Sequence, residues 1–290
     1  MISSRFWLQL KKDRFAQMCF LILLVVLLAG IFAPWITPHD PNLTASRLKY
    51  LPISLDYPLG TDYLGRCVFS RLIYGIRTTL FYSLLAMMLT MILGAILGLI
   101  AGFYRGKVDS IIMRLCDMML SFPDVVMILA IVGVLGPSIE NIVLAIVVVK
   151  WAWYARMIRG AVRQYTHQNY IRYAQVIGAK DSYILRRHLL PMTAADMMIL
   201  ASTNIGTIIL TISALSFLGL GIQPPTAEWG SMLSMAKQVM LTHPTQMLPA
   251  GIAITVVVIA CNGLGDFLRD LFDPMNRFDQ TLLVKNRYDA

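Results

Sequence analysis

Six long apolar stretches, divided by polar segments, set the pattern of this chain. About twenty apolar residues in helical form cross a hydrocarbon layer of ~30 Å. The first stretch runs from about Phe15 to Trp35 and ends at Pro34 and Pro38. No small-x-small cleavage site follows it, so it reads as a retained first helix rather than a signal peptide. The second covers Thr78 to Tyr104. Its Gly94, Gly98 and Gly102 recur every four residues, which puts them on one face where another helix can approach closely. The third runs from about Met118 to Ile139, with Ser-Phe-Pro-Asp (121–124) near its start as a helix beginning or a kink. The fourth covers about Asn141 to Met157, the fifth Asp196 to Leu220 and the sixth Met247 to Gly265. The fold class is therefore all-α: a polytopic membrane protein with six transmembrane helices.

The longest hydrophilic run, 156–191, carries Arg156, Arg159, Arg163, Arg172, Lys180, Arg186 and Arg187 against one acid, Asp181. Lys and Arg beside a span resist translocation, so this run predicts a cytoplasmic loop. Gly178 is a natural helix C-cap, Asp181 an N-cap, and Pro191 a stop, so the loop predicts a helix–turn–helix knob. With the knob inside, both termini are inside. Inner segments then hold 18 of the 25 Lys and Arg, outer segments hold six, and Lys150 lies at a boundary. The organisation expected is an N-terminal tail (1–14), a membrane domain (15–274) with its cytoplasmic loop at 156–196, and a C-terminal tail (275–290). The aromatic end of the fourth span, Lys150, Trp151, Trp153 and Tyr154, suits the inner interface. A lysine there snorkels outward. A substrate-ligand role is the less expected alternative.

Composition narrows the class further. Hydrophobic residues are 57%, charged residues 14%, and mean hydropathy is +0.66, which excludes an ordinary soluble domain. The formal net charge is +9, and the loop supplies +6 of it. Because the basic residues gather beside spans, they read as topology signals and not as a nucleic-acid surface. The four cysteines (19, 67, 116, 261) are scattered, without a CxxC or Cys/His cluster, so neither a disulfide framework nor a metal site is expected. No GxxxxGK[ST], HExxH or GxSxG motif occurs, so this chain has no catalytic site and no cofactor of its own. The polar stripe Thr203, Thr207, Thr211, beside Asn204 and Gly206, either packs against a helix or lines a wet path. Transport by a pore-forming subunit is the reading left. A secondary transporter or channel is the alternative class, although its mid-membrane charges are not evident here, where charges sit near the expected span ends.

Several blocks resemble one family. Ala174, Gly178 and the Leu189-Leu190-Pro191 end resemble the "EAA" loop of ABC-importer permeases, with the Glu-Ala-Ala falling on Arg172, Tyr173 and Ala174. LGTDYLGRCVFSRLIYGIRTTL (59–80) resembles an outer segment of dipeptide, oligopeptide and nickel importer permeases, departing at Cys67, where that family has Asp. SFLGLGIQPPTAEWG (216–230) and LGDFLRDLFDP (264–274) are similar to its later blocks. KWAWYARMIRG (150–160) and PPTAEWG (224–230) look most like C-type nickel permeases. The resemblance implies a bacterial cytoplasmic-membrane protein whose partners are membrane lipid, a second homologous permease, two cytoplasmic ATPases holding ATP and Mg, and an extracytoplasmic solute-binding protein. It implies import of nickel, chelated, or else of di- and oligopeptides. It places Arg172, Tyr173, Ala174, Gly178, Ala179, Asp181 and Pro191 at the ATPase contact. Asn204, Thr207 and Thr211 are the residues proposed for the path.

Overall fold

A computed structural model describes residues 2–272. Ten helices carry the described residues: α1 (Ile2–Leu10), α2 (Arg14–Ile31), α3 (Val68–Tyr104), α4 (Gly106–Leu120), α5 (Asp124–Leu135), α6 (Ile139–Tyr165), α7 (Asn169–Val176), α8 (Asp181–Phe217), α9 (Trp229–Lys237) and α10 (Leu248–Phe272). Shorter turns, such as Ala33–Ile36, connect them. Among the described residues there is no strand, only a single bridge between Thr61 and Cys67. Among the described residues five helices are long and apolar enough to cross a membrane, and a bent pair, α4 with α5, makes a sixth candidate.

Where the helices start and stop follows local chemistry. Asp13 caps α2, its Oδ1 accepting from the Ala16 N–H at 3.0 Å. The expected N-terminal tail is thus largely helix α1, joined to α2 through this cap, with Leu10 packed beside Ala16 and Phe267. The expected C-terminal tail, 275–290, lies outside the described residues.

The second span begins at Val68 and not at Thr78. Arg71 hid this extension from a hydropathy reading, but its side chain is buried within the chain and one of its nitrogens finds acceptors there. Arg71 Nη1 donates to the carbonyls of Pro41 (2.9 Å) and Pro225 (3.0 Å). The glycine face is used as the spacing predicts: a Cβ on Gly94, Gly98 or Gly102 would stand 2.6–2.7 Å from Tyr154, Ala155 or Val162 of α6. The centre of the molecule is this α3–α6 seam together with α8. A second cluster joins α3 and α8 to α10 and α2.

Three boundaries differ from expectation. The third span divides at Ser-Phe-Pro-Asp, where a helix beginning or a kink is expected, with α4 and α5 bent by 84° around Ser121–Pro123, but α5 ends at Leu135 and not at Ile139. Pro123 has no N–H to continue a ladder. At 1.5 Å per residue α5 is ~18 Å long, about half a bilayer. The fourth span continues to Tyr165, eight residues beyond Met157, as an amphipathic extension whose Arg156 and Arg159 find acids on α4. In the loop, Asp181 is the first residue of α8 and Lys180 precedes it as the cap, with no side-chain cap bond. Pro191 does not stop the helix. The turn before it, Leu185–Leu189, is π-helical, and the Leu190 N–H reaches back to the Leu185 carbonyl. A proline in a regular helix clashes with the carbonyl four residues back. The widened turn lets α8 pass Pro191 unbroken to Phe217.

At the end opposite the knob, the connecting segments are tied down by buried polar contacts. Trp229 is fully buried, fills the space beside Gly75, and donates from Nε1 to the Leu72 carbonyl at 2.9 Å. Glu228 caps α9, accepting from the N–H groups of Gly230 (2.8 Å) and Ser231 (2.7 Å). Burial pushes its carboxyl above the usual range, while those two N–H groups pull the other way. Asp62 binds the buried Arg66 at 2.6 Å.

Candidate functional site

Two features offer themselves, at the knob and in the membrane part. The knob is α7, a tight turn, and the start of α8. Gly178 sits at φ +78°, the left-handed conformation that glycine tolerates. The Ala179 N–H reaches the Ala174 carbonyl at 3.0 Å, and the Gly178 N–H reaches Gln175 at 3.0 Å. These are the two bonds of a Schellman end. A Cβ on Gly178 would meet nothing within 4 Å, so the glycine is there for its backbone conformation alone.

The faces of α7 decide what can touch a partner. Ile171 and Ala174 point inward to the chain's own core, and Ala179 packs beside them. Ala174 is therefore an internal packing residue, which corrects its placement on a contact surface. An eight-residue helix has one buried stripe, and Ala174 falls three residues after Ile171 on it. Tyr173 (68% exposed), Val176 (84%), Ile177 and Tyr183 form the outward apolar face instead. Beside it, Ala179, Lys180, Ser182, Tyr183, Arg186 and Arg187 line a depression of about 740 Å³.

The basic residues of the loop divide into two groups. Arg156 pairs with Asp117, and Arg159 is bidentate to Asp109, both acids lying on α4. The Arg159–Asp109 pair is largely closed off, with side chains 23% and 13% exposed, whereas the Arg156–Asp117 pair lies open at the surface. Arg163, Arg172, Lys180, Arg186 and Arg187 make no ion pair among the described residues. Arg172 lies 3.3 Å from one ring nitrogen of His167, and Arg105 lies 3.3 Å from the other. A neutral imidazole has one acceptor nitrogen, so it serves one of the two arginines at a time. Arg105 also donates to Thr166 at 2.8 Å, which ties the α3–α4 junction to the knob.

The second feature is a cleft of about 370 Å³ between the α4–α5 bend, α6 and α8. Asn204 and Thr207 line it, facing Lys150, Asp124, Trp153 and Tyr154. Gly206, on another side of α8, packs against Asn262 and Val258 of α10. Asn204 and Thr207 thus face an open cleft, while the small residue makes the helix contact. Asn204 donates to the Leu200 carbonyl at 2.8 Å. Thr211 is one turn further, donates to the Thr207 carbonyl at 2.8 Å, and does not line the cleft. Asp181 and Pro191 stand at the start and inside of one helix, on the knob side of it.

Sequence reasoning missed the Asp124–Lys150 ion pair, at 2.7 Å. It also placed Lys150 at the inner interface. With α6 running from Ile139 to Tyr165, Lys150 lies eleven residues into it, ~16 Å from its start at 1.5 Å per residue. Counted from the start of α6, that is about half the thickness of a ~30 Å layer. The premise that all charges sit near span ends therefore fails for this pair. The signal was present in the spacing: Asp124 and Lys150 each stand thirteen residues from Pro137, so an antiparallel hairpin must bring them level (137 − 124 = 150 − 137). Among the described residues no three His, Cys, Asp or Glu come together as a metal-ligand group.

Comparison with known proteins follows the same lines. A family model described as "Binding-protein-dependent transport system inner membrane component" matches residues 94–278, and one described as "N-terminal TM domain of oligopeptide transport permease C" matches residues 3–52. The chain is 46% identical over 266 residues to the metal-staphylopine import system permease protein CntC of Staphylococcus aureus (strain NCTC 8325 / PS 47), covering 92% of each. It is 39% identical over 271 residues to the glutathione transport system permease protein GsiD of Escherichia coli O6:K15:H31 (strain 536 / UPEC), covering 93% of this chain and 89% of the relative.

Proposed function

We propose, since the chain belongs to the family of binding-protein-dependent transport-system inner-membrane components and is an ABC-importer permease subunit, that its cargo is a chelated metal and that the metal is nickel. The observation that carries this reading is the 46% identity, over 92% of both chains, to a permease named for metal-staphylopine import. Di- or oligopeptide import is the second reading, favoured by the 39% identity to a permease named for glutathione transport.

In this reading the chain supplies half of a pore and a second homologous permease supplies the other half. Two ATPases hold ATP and Mg on the cytoplasmic side, and a solute-binding protein delivers cargo from outside. Both termini and the knob are cytoplasmic. The ATPase contact is the outward face of the knob: Tyr173, Val176, Ile177 and Tyr183 supply apolar area, and Arg172, Lys180, Arg186 and Arg187 steer an acidic rim. Gly178 and Ala179 hold that face in shape, and Asp181 and Pro191 belong to the helix that carries the movement inward. Asn204 and Thr207 border the path.

Uptake of nickel-63, offered free and as its histidine chelate, and of labelled dialanine, compared between cells with and without the gene, tests the assignment. Gene-dependent uptake of the nickel chelate above that of free nickel is the result expected. Gene-dependent uptake of dialanine alone would replace nickel with the peptide reading.

A further inference from the structure

Asp124 and Lys150 lie level with each other at mid-span, on the two limbs of the α5–α6 hairpin. A charged side chain at that depth is costly, and where one persists it marks a pathway or a site. The pair is unlike the strut on the outer side. Asp62–Arg66 is closed off, with side chains 14% and 1% exposed, whereas Asp124 is 57% and Lys150 15% exposed. Asp124 thus opens onto the cleft and Lys150 forms its wall. Around them stand Trp153 and Tyr154 on the same helix and Asn204 and Thr207 across the gap. An open ion pair between aromatic and polar walls can release one partner to a visiting charge at little cost, because the visitor replaces what it displaces.

We propose that Asp124 and Lys150 are the charge-recognition element of the cargo path. Lys150 takes a carboxylate of the cargo, and Asp124, freed by that exchange, faces the cationic centre of the same molecule. That centre is the ammonium of a peptide or the metal of a chelate. The inference rests on the importer reading above and narrows its substrate class to small carboxylate-bearing molecules with a balancing positive centre. Peptides and amino-acid chelates share that chemistry, so one site serves either. A bare cation is disfavoured, since Lys150 stands in its way.

The test uses the complete complex in proteoliposomes, with the nickel–histidine chelate and dialanine as probes. Lys150→Gln should raise the KM for the imported probe about tenfold or more. The double exchange Asp124→Lys with Lys150→Asp keeps a mutual pair, and recovery of the assembled complex on size exclusion reports its folding. Loss of uptake in the assembled exchange variant supports recognition. Wild-type uptake by that variant overturns the proposal, because the pair is then only a strut. If the wild-type complex imports neither probe, the cargo assignment has failed, and labelling decides the inference. Asn204→Cys is then reacted with an anionic and a cationic methanethiosulfonate. A shift of their rate ratio by about threefold or more towards the cation on adding Lys150→Gln supports a wetted, charge-selective cleft. An unchanged ratio overturns it.

Discussion

Replacing Gly98 by alanine tests the seam on which the membrane part is built. An added Cβ would stand 2.7 Å from the Ala155 carbonyl oxygen and 3.0 Å from Ile158 Cβ. Neither is the tip of a flexible side chain, so α3 and α6 must move apart. Extra volume in a tight core costs about 1–3 kcal/mol, and contact with a backbone oxygen and a Cβ puts this site in the upper half of that range, about 2–3 kcal/mol. Alanine returns about 0.8–1 kcal/mol of helix propensity over glycine. The net loss is then about 1–2 kcal/mol. Gly160 on α6 is the control, since a Cβ there meets nothing within 4 Å of this chain. Gly160→Ala should gain about 0.5–1 kcal/mol. The two substitutions are chemically the same and carry opposite signs. Thermal unfolding of the isolated subunit in mild detergent, followed by size exclusion, reads the difference. At about 2–4 °C per kcal/mol, Gly98→Ala should lower the midpoint by roughly 2–8 °C, while Gly160→Ala raises it slightly. A midpoint for Gly98→Ala at or above wild type would refute the close-approach argument.

Three further outcomes are expected. Gly178→Val forces a β-branched residue into a left-handed conformation at about 1–2 kcal/mol; it should lower ATPase stimulation by loaded binding protein while membrane insertion continues, and full stimulation would remove the knob from the coupling path. A cysteine at Gln168 should resist an impermeant thiol reagent applied from outside, and labelling there would invert the topology. Glu228→Ala strands the buried N–H groups of Gly230 and Ser231, at about 1–3 kcal/mol each, so yield and thermal midpoint of the subunit should fall; an unchanged midpoint would show that water replaces the carboxylate.

Which features were legible in the sequence follows from what each depends on. The spans could be read because a charge-free run has one outcome in a bilayer, and the Gly94–Gly102 face because its spacing is the helix repeat itself. The start of α3 could not, because Arg71 reads as a surface charge until Pro41 and Pro225, distant in sequence, supply its acceptors. Pro191 reads as a stop because the stop rule assumes a regular turn before it, and here that turn is widened. Ala174 was recognisable as part of the knob, but which way it faces depends on what α7 packs against. The Asp124–Lys150 pairing was within reach of a register argument about Pro137, yet only the full length of α6 shows its depth.

The unbroken course of α8 from Asp181 to Phe217 makes knob and cleft two ends of one lever without a joint. Asn204 is 23 residues from Asp181, ~35 Å away at helical rise (204 − 181). A tilt imposed at the knob end must therefore appear at the cleft as displacement, with nothing between to absorb it except the widened turn at Leu185–Leu189. That turn also sets the rotational phase of the two ends. One residue more or fewer there swings everything beyond it by about 100° about the helix axis. Asn204 and Thr207 would then face away from Lys150 while both ends stayed folded. Length in this short stretch is accordingly under tighter constraint than identity, and insertions should be tolerated at 166–168 long before they are tolerated at 185–189.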